Sequence, residues 1–410
     1  MQHVPWVAVG LFMLLSSGCG RRDGPLDVAD RGPIVADGGP IDDPCDGISI
    51  QHLGQPVVFK TPTQYLQDGG SFDCAATSDQ RGRMAFATFL AGTINGSKVA
   101  DGTIVWIAEP DGTVVASDDF AVPPNMAGAS GFLGPDPGPE GFVGFAPADG
   151  GGVFPDTLLL MPDDGSAVAS VALPGIALSF APRPAGGEVV LAQWIMMQPP
   201  DQATVSAFDE RGAQAWQVTF QGPLGRGIVG VDSMGNALVL FPTTPPPALQ
   251  TWEGFWVTPS GSAGIPFTAS AGALDLRLAA RIGGGFFLAA FDGTAYRWAA
   301  ELNPGNAGTD AVPTWLAGRS GGMLFQVRGG RAYALLPMAS PPTGAASCAV
   351  ELVLPSGQSC GTTIVSTGSR ACGLTMGPDG TLIQRLPDSA NCDASNRCAC
   401  SWQYWPSALR

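Results

Sequence analysis

The stretch VSAFDERGAQAWQVTF, residues 205–220, contains two segments that favour β-strands on either side of a polar centre. Valine, phenylalanine and tryptophan occupy the flanks, and the centre contains Asp209 and Gly212, two residue types that tight turns favour. Apolar, β-prone flanks around such a turn are typical of a β-hairpin. The stretch therefore predicts two short antiparallel strands joined by a tight turn.

Five other stretches share this pattern and are distributed along the chain. In each, an apolar segment precedes a turn rich in Pro, Asp, Ser and Gly, and a second apolar segment usually follows. The turn glycines are Gly112, Gly165, Gly212, Gly261, Gly305 and Gly357, at successive intervals of 53, 47, 49, 44 and 52 residues. A step that stays at about 49 residues predicts a repeated structural unit.

A second family of hairpins lies between these turns. Its members have Gly-rich turns with small residues nearby: VGFAPADGGGVF (143–154), LSFAPRPAGGEVVLAQW (178–194), VGVDSMGNALVLF (229–241), LAARIGGGFFLAAF (278–291), WLAGRSGGMLFQV (315–327) and LTMGPDGTLIQRL (374–386). Two hairpins per unit give four strands in about 49 residues, which matches one blade of a β-propeller. We therefore predict an all-β protein with a single propeller of about seven four-stranded blades. Six or eight blades, or a pair of β-sandwiches, are the alternatives.

The predicted blades can be placed on the chain. They lie near residues 75–122, 138–174, 176–222, 226–269, 273–311, 313–367 and 369–410. The last unit has no clear fourth strand, and the segment QPVVFKTP (55–62) before the first unit would supply it and close the ring. Closure of the ring removes the open sheet edges that otherwise invite aggregation.

Two of the repeats resemble those of known propeller families. GVDSMGNALVLF (230–241) is similar to the D-x-x-G-N-x-[YL]-V pattern of secreted bacterial propeller repeats. The stretch AFDERGAQAWQVTF (207–220) resembles quinoprotein-type repeats, in which a D-x-x-G turn precedes a tryptophan, and Asp209, Gly212 and Trp216 match that pattern. The resemblance implies the fold and not the cofactor, because the chain has no Cys-Cys dipeptide of the kind found in many quinone enzymes.

The amino terminus has the organisation of an export signal. Residues 6–15, WVAVGLFMLL, form an apolar run that suits a signal peptide and is shorter than the roughly 20 residues of a membrane-spanning helix. Small residues then lead into Cys19. This arrangement resembles the bacterial lipoprotein signal, in which the cysteine becomes the lipidated first residue. The uncharged n-region and Ser16 depart from that pattern, and an ordinary secretory signal is the alternative.

The predicted organisation has three parts: a signal peptide at 1–18, the lipidated Cys19 with a tether that extends to residue 44, and the propeller at 45–410. The tether is dominated by Gly, Pro and Asp, a composition that cannot bury enough apolar surface to fold. Gly20, rather than an aspartate, follows Cys19. By resemblance to lipoprotein sorting, this favours the outer membrane of a Gram-negative bacterium, with the lipid as the expected membrane contact.

Without Cys19, the chain has eight cysteines, an even number that favours disulfides in an oxidising compartment. The candidates are Cys45, Cys74, Cys348, Cys360, Cys372, Cys392, Cys398 and Cys400. Sequence proximity favours the pairs Cys45–Cys74 and Cys348–Cys360, and bridges between the two ends of the chain are the alternative. We favour disulfides over a zinc site at 392–400 because that segment has no nearby histidine and no matching C-x2-C pair.

The composition argues against several kinds of chemistry. A net charge of −15 without a basic cluster disfavours nucleic-acid binding. His3 lies in the signal, which leaves His52 as the single histidine for a catalytic triad or a multi-histidine metal site. We interpret the adjacent acids Asp118–Asp119 and Asp163–Asp164 as solvated charges at turns. We predict no catalytic residue, no metal and no cofactor; calcium at the Asp-rich turns is an alternative without a specific motif.

The tryptophans divide into two groups by their position in the repeat. Those within predicted strands are expected to pack between blades: Trp106, Trp194, Trp216, Trp256 and Trp298. Those that flank turns or the carboxyl terminus are candidates for contact with a ligand: Trp252, Trp402 and Trp405.

Two functional hypotheses follow from these observations. The first is a non-catalytic, membrane-tethered envelope lipoprotein whose propeller binds or scaffolds an envelope protein or a polysaccharide. Its resemblance to the propeller-shaped lipoprotein of outer-membrane assembly supports this class. The second is a degenerate extracytoplasmic hydrolase or lyase that uses carboxylates in the central funnel. The scarcity of His, Lys and Arg in the repeats favours the first.

Overall fold

The short apolar segments between the turn glycines form strands in the computed structural model of this protein. The structure describes residues 43–51, 53–68, 74–90, 93–94, 97–98, 102–121, 133–138, 141–147, 156–173, 175–184, 186–194, 202–221, 227–243, 250–273, 275–291, 296–306, 308–319, 323–327, 329–336, 347–366, 373–386 and 388–409. The chain divides into two units, Met1–Pro44 and Cys45–Arg410, and the strands belong to the second.

The strands are numbered here in chain order. Strands β1 to β8 are Val57–Lys60, Gln67–Asp68, Cys74–Ser78, Met84–Leu90, Thr93–Ile94, Ser97–Lys98, Gly102–Ala108 and Val114–Ala121. Strands β9 to β16 are Leu133–Gly138, Gly141–Pro147, Asp156–Pro162, Ala169–Ala172, Ile176–Pro182, Glu188–Trp194, Gln202–Phe208 and Gln214–Gln221. Strands β17 to β23 are Ile228–Val231, Ala237–Pro242, Gln250–Val257, Phe267–Ala273, Asp275–Ala280, Phe286–Phe291 and Tyr296–Leu302. Strands β24 to β31 are Met323–Gln326, Tyr333–Leu336, Ser347–Val353, Ser359–Ser366, Leu374–Met376, Leu382–Arg385, Arg397–Cys398 and Ser401–Trp405. The helical elements are the 3₁₀ turns Thr63–Tyr65 and Asp388–Asn391 and the α-helix α1, Thr314–Ala317.

Seven antiparallel sheets form the blades of a β-propeller. In strand order they are β3-β4-β7-β8 (blade 1), β9-β10-β11-β12 (blade 2), β13-β14-β15-β16 (blade 3), β17-β18-β19-β20 (blade 4), β21-β22-β23 (blade 5), β24-β25-β26-β27 (blade 6) and β28-β29-β31-β1 (blade 7). The first strands contact those of neighbouring blades: β3 contacts β9 and β28, β13 contacts β9 and β17, and β21 contacts β17 and β24. These strands therefore surround the central axis. A small additional sheet, β30-β2-β5-β6, lies outside the blades.

The predicted fold class, the number of blades and the closure of the ring are confirmed. Strand β1 pairs antiparallel with β31, with Val57 opposite Tyr404 and Lys60 opposite Ser401. The amino-terminal segment thus completes the blade that the carboxyl-terminal segment begins. The two ends of the ring are not consecutive in the chain, and the backbone hydrogen bonds between β1 and β31 join them. The pairing also leaves no open edge on β31.

Blade 5 departs from the predicted four strands. Within the described residues, Glu301 near the end of its edge strand β23 forms an isolated bridge with Asp310, and α1 follows. The predicted hairpin at 315–327 is therefore wrong, because its first half is the helix. The first hairpin of blade 6 is instead β24–β25, with its turn at Gly329 and Gly330.

Two of the repeat glycines, Gly261 and Gly357, are explained by contacts between blades. Gly261, between β19 and β20, has a φ of +86°, and a Cβ there would lie 2.7 Å from the Cβ of Trp216 in blade 3. Gly357, between β26 and β27, has a φ of +90°, and its Cβ would lie 2.4 Å from the Cβ of Trp315. Both the left-handed backbone and the close approach require a residue without a side chain. Trp315 belongs to α1, so the helix occupies the place that an outer strand has in blade 3.

The apolar core lies between successive blades rather than in one central mass. At the junction of blades 7 and 1, the rings of Phe59 and Phe86 stack with centroids 4.0 Å apart. The same cluster includes Trp106, Trp402 and Tyr404. Six further clusters of buried residues are formed by the described residues. Stacked aromatic pairs add to the burial of their surface, and they stabilise each junction separately.

The disulfides join the two ends of the propeller. Cys45 bonds to Cys360 in β27, and Cys74 in β3 bonds to Cys400 immediately before β31. The pairing by sequence proximity is therefore wrong, and the end-to-end alternative is confirmed. The reason is topological, since ring closure places residues more than 300 positions apart side by side.

The other cysteines lie near the carboxyl terminus. Cys392 bonds to Cys398. Cys348 is also disulfide-bonded, and Cys372 lies outside the described residues. No helix in the part of the chain that the structure describes has the length and apolar character needed to cross a membrane.

Candidate functional site

Aspartates occupy the turns between the first and second strands of several blades, which we call the inner turns. In blade 4, Asp232 follows β17, and its Oδ1 accepts hydrogen bonds from the backbone N–H groups of Met234 (2.9 Å) and Asn236 (2.8 Å). A short acidic side chain can fold back onto its own backbone in this way and so define a tight turn. This is the physical basis of the D-x-x-G pattern in the sequence.

Inner-turn aspartates also accept hydrogen bonds from the next blade. Asp232 Oδ2 accepts a hydrogen bond from the backbone N–H of Gly285 in blade 5, at 2.9 Å. Asp379 in blade 7 accepts one from the Ser78 hydroxyl in blade 1, at 2.5 Å between oxygens. Both aspartates are buried. The inner turns therefore connect neighbouring blades as well as reversing the chain.

The junction between blades 1 and 2 has a different composition. Asp79 Oδ1 accepts hydrogen bonds from the backbone N–H groups of Arg81 (2.8 Å) and Arg83 (2.9 Å), as in the other inner turns. Its Oδ2 is buried and has no hydrogen-bond donor among the described residues. Arg81 links Asp79 to Asp163, in the turn between β11 and β12, because its backbone N–H bonds Asp79 and its guanidinium bonds Asp163. Two buried carboxyl groups are therefore neighbours here, whereas Asp232 and Asp379 each face a donor in the next blade.

Two arginines hold Asp163 at this junction. The Arg81 Nη1 lies 3.1 Å from Asp163 Oδ2, and Arg83 donates to the backbone oxygen of Asp163. Arg83 also pairs with Glu109, with 2.9 Å between Nη2 and Oε1. Asp163 is 3% exposed and Asp79 is 0% exposed. The pair of carboxyls is therefore closed to solvent, although Arg81 itself is largely exposed.

Burial raises the pKa of Asp79 to about 6. The two backbone N–H groups of Arg83 and Arg81 lower it, and the neighbouring charge of Asp163 raises it further. Desolvation and a like charge both disfavour ionisation, so the neutral carboxylic acid is retained to a higher pH than in a free aspartate. The neutral form can donate its proton to Asp163, which the ionised form cannot.

The strands that surround the axis contain few charged residues. Among the described side chains of these strands, the charged ones are Asp275 and Arg277, both in β21. Asp275 Oδ2 accepts a hydrogen bond of 2.5 Å from the hydroxyl of Tyr296, and the Arg277 guanidinium lies 4.3 Å from the centre of that ring. Burial and the contact with Asp275 raise the pKa of Tyr296. Both of these charged side chains thus contact Tyr296 of the same blade.

The two pairs of adjacent aspartates have different surroundings. Asp118 and Asp119 lie on the outer strand β8, where successive side chains point to opposite faces of the sheet. Asp164 is exposed, as we predicted for both members of its pair. The prediction for Asp163 is wrong, because its side chain turns inward to the junction of blades 1 and 2. Asp79 begins the same D-x-x-G pattern as Asp209, so the sequence could have predicted that Asp79 lies in a tight turn.

The prediction of ligand-facing tryptophans is also wrong. Trp252, Trp402 and Trp405 are 1%, 2% and 8% exposed, and all three belong to the cores between blades. The other group packs as expected where its side chains are described: Trp106, Trp256 and Trp298 are buried, and Trp216 lies against Gly261. The side chain of Trp194 is outside the described set.

Cys19, His52 and the signal and tether through residue 42 lie outside the described residues. Within the described ranges, no three His, Cys, Asp or Glu side chains are grouped so that they could hold a metal ion.

No protein-family profile and no curated protein sequence matches the chain. Its fold is similar to that of solved structures. The β-propeller domain of the Trilobed protease from Pyrococcus furiosus, described as having an open velcro topology, shares 9% identity over 82% of this chain and 95% of that one, with a TM-score of 0.48. The acylaminoacyl peptidase of Pyrococcus horikoshii shares 9% identity over 83% of this chain, with a TM-score of 0.50.

The chain spans about half of that peptidase, 52% of its length. A protein of unknown function from Dyadobacter fermentans shares 9% identity over 88% of this chain and 99% of that one, with a TM-score of 0.45. At such identities, a structural likeness concerns the fold and not the activity. The class that the fold defines is therefore that of the seven-bladed β-propellers.

Proposed function

We propose that this protein is a non-catalytic binding or scaffold module of the bacterial cell envelope, held at the membrane by a lipid on Cys19. The observation that carries the proposal is the use of the buried aspartates. Asp79, Asp163, Asp232 and Asp379 are each 3% exposed or less, and each contacts a neighbouring blade. Acids committed to internal contacts stabilise a rigid platform and offer no carboxylate to a substrate.

The strands around the axis support the same proposal. An enzyme that used funnel carboxylates as acid and base would place two of them in reach of one substrate. Asp275 is the single acid with a described side chain on these strands, and its Oδ2 accepts the Tyr296 hydroxyl. The alternative, an extracytoplasmic hydrolase or lyase, would therefore depend on Asp275.

The tether and the oxidising location rest on different features. Cys19 follows an apolar run and precedes a segment rich in Gly, Pro and Asp. The disulfides Cys45–Cys360, Cys74–Cys400 and Cys392–Cys398 favour a compartment outside the cytosol. The partner that we propose is an envelope protein or a polysaccharide, with no nucleic acid, and the lipid is the membrane contact.

Metabolic labelling with a fatty acid tests the anchor. Wild-type protein is expected to take up label and to sediment with membranes, and Cys19→Ala is expected to do neither. Ser17→Ala is the matched control, because it changes the same segment without removing the thiol. Equal labelling of all three would overturn the lipid anchor.

Affinity capture of the full chain from native envelopes tests the binding role. We expect one protein or polysaccharide to be retained at a fixed stoichiometry, and to be retained equally by Asp275→Asn. Turnover of an envelope polymer that is lost in Asp275→Asn but kept in Asp119→Asn would instead establish the hydrolase or lyase.

A further inference from the structure

The junction of blades 1 and 2 differs from the other described junctions in one respect. At the junctions of blades 4 with 5 and 7 with 1, the inner-turn aspartate faces a hydrogen-bond donor, Gly285 N–H or Ser78 Oγ–H. Asp79 faces Asp163, an acceptor when ionised. A buried acceptor that faces another acceptor is destabilising unless a proton lies between them.

We propose that Asp79 and Asp163 share one proton across the junction of blades 1 and 2, and that loss of this proton loosens the junction. The contact would then be tight at mildly acidic pH and weaker at neutral pH. The proposal concerns the fold itself and does not depend on the ligand that the propeller binds.

The charged groups around Asp79 support a single shared proton. Arg81 and Arg83, from its own turn, both pair with the Asp163 carboxyl. Glu109, from the turn between β7 and β8, takes up part of the Arg83 charge. Asp379 approaches from blade 7, where its Oδ2 lies 3.1 Å from the position of a Cβ on Gly82.

These neighbours make Asp79 the proton carrier of the pair. Asp379 adds negative charge on its side, and its own Oδ2 accepts the Thr381 hydroxyl at 2.6 Å. The arginines compensate Asp163 directly, whereas Asp79 receives only backbone N–H groups. A proton on Asp79 can therefore be donated to an oxygen of Asp163, the carboxyl that the arginines contact.

The direction of the pH effect follows from linkage. The pKa of Asp79 is raised to about 6 in the folded protein from an ordinary value of 3.8. The folded state therefore holds this proton more tightly than the unfolded chain. Its contribution to stability is fully present below the ordinary value and is lost as the pH rises through about 6.

Asp79→Asn is the variant that tests the proposal, because an amide keeps the acceptor for the turn and supplies a permanent donor to Asp163. Asp209→Asn is the matched control. Asp209 Oδ1 accepts backbone bonds from Arg211 (2.9 Å) and Ala213 (2.8 Å) in a D-x-x-G turn of the same kind, but Asp209 is partly exposed. The comparison therefore isolates the shared proton from the turn.

The first measurement is the equilibrium constant for unfolding of the full chain at about pH 4.5 and about pH 7.5. Between these two pH values, the ratio of folded to unfolded protein is expected to fall about 10-fold more in wild type and in Asp209→Asn than in Asp79→Asn. Parallel pH profiles of Asp79→Asn and Asp209→Asn would overturn the proposal.

The second measurement is infrared difference spectroscopy of the folded full chain, which detects the carbonyl stretch of a neutral carboxylic acid. We expect a band that titrates near pH 6 in wild type and Asp209→Asn and is absent from Asp79→Asn. Asp163→Asn, which gives Asp79 a donor, is expected to remove the band as well. A wild-type protein without such a band above about pH 5 would show that no proton is shared.

Discussion

The two ends of the propeller and its middle are held together by different means. At the seam, the carboxyl-terminal strand β31 and the amino-terminal strand β1 lie side by side in blade 7 without being consecutive in the chain. Their hydrogen bonds and the Cys74–Cys400 disulfide join the two ends, and Phe59 of β1 stacks on Phe86 of blade 1. From residue 75 to residue 347 the chain has no cysteine. There, consecutive blades follow one another along the chain and are joined by turn glycines and apolar packing. Two of the disulfides therefore lie where distant ends of the chain meet in the closed ring.

Loss of the end-to-end disulfide Cys74–Cys400 should reduce stability more than any other change considered, and it should act at the seam. Replacing Cys74 and Cys400 by serine is expected to lower the free energy of unfolding by about 2–5 kcal/mol, because the bridge restricts a very long loop of the unfolded chain. Chemical denaturation of the oxidised proteins measures this loss. Replacing Cys392 and Cys398, which are 6 residues apart, is the control and should cost less. Equal losses would show that the bridges do not act by closing the ring.

Phe59→Ala removes aromatic packing at the seam and leaves the disulfides unchanged. Truncation of a buried phenylalanine is expected to cost about 3 kcal/mol, and β1 is additionally expected to exchange its amide hydrogens faster. Phe241→Ala in blade 4 is the matched variant, since that side chain is also buried among aromatic rings. It should cost a similar free energy but leave exchange in β1 unchanged. Faster exchange of β1 in both variants would contradict a separate seam.

Gly261→Ala tests the packing that joins the middle blades. Its added Cβ would meet Trp216, whereas Gly305→Ala introduces the same left-handed strain (φ +89°) with nothing within 4 Å. We expect Gly261→Ala to cost about 1–2 kcal/mol more than Gly305→Ala, as measured by thermal unfolding. Similar melting temperatures would mean that backbone conformation alone explains the repeated glycine.

The pH dependence of stability should be the smallest of these effects. As the pH rises from about 4 through about 6, wild type is expected to lose about 1–2 kcal/mol relative to Asp79→Asn, because the folded protein holds this proton more tightly. Asp232→Asn provides the comparison from the middle of the ring. Asp232 Oδ2 faces the donor Gly285 rather than another acid, so Asp232→Asn should change stability but keep the pH dependence of wild type, in which Asp79 is intact. The measurement is denaturant unfolding over the same pH range.

The hairpin pattern predicted the class of fold, the seven blades and the strand exchange that closes the ring. These features are local, because alternating apolar residues and a turn glycine act over about ten residues and then recur. The same reasoning failed at 315–327, where the first three residues of the predicted strand, 315–317, form part of α1. A local pattern does not distinguish an outer strand from a helix that fills the same space against Gly357.

The candidate site was predicted less well, because its geometry depends on contacts between distant segments. Asp163 and Asp164 are adjacent and chemically identical, yet one is buried beside Asp79 and the other is exposed. Likewise, Trp252 and Trp402 flank loops in the sequence but lie in the cores between blades. Whether a side chain meets water or a neighbouring blade is decided only after the ring closes.

The amino-acid sequence by itself determined the repeating hairpin, the positions of the tight turns and the supply of cysteines at both ends. The tertiary structure decided which cysteines pair, which aspartates are buried and which group each of them faces. The physical reason is the range of the interactions. Turn conformation and strand pairing within a hairpin are set by neighbours in the chain, whereas burial and charge pairing depend on which segments the closed ring brings together.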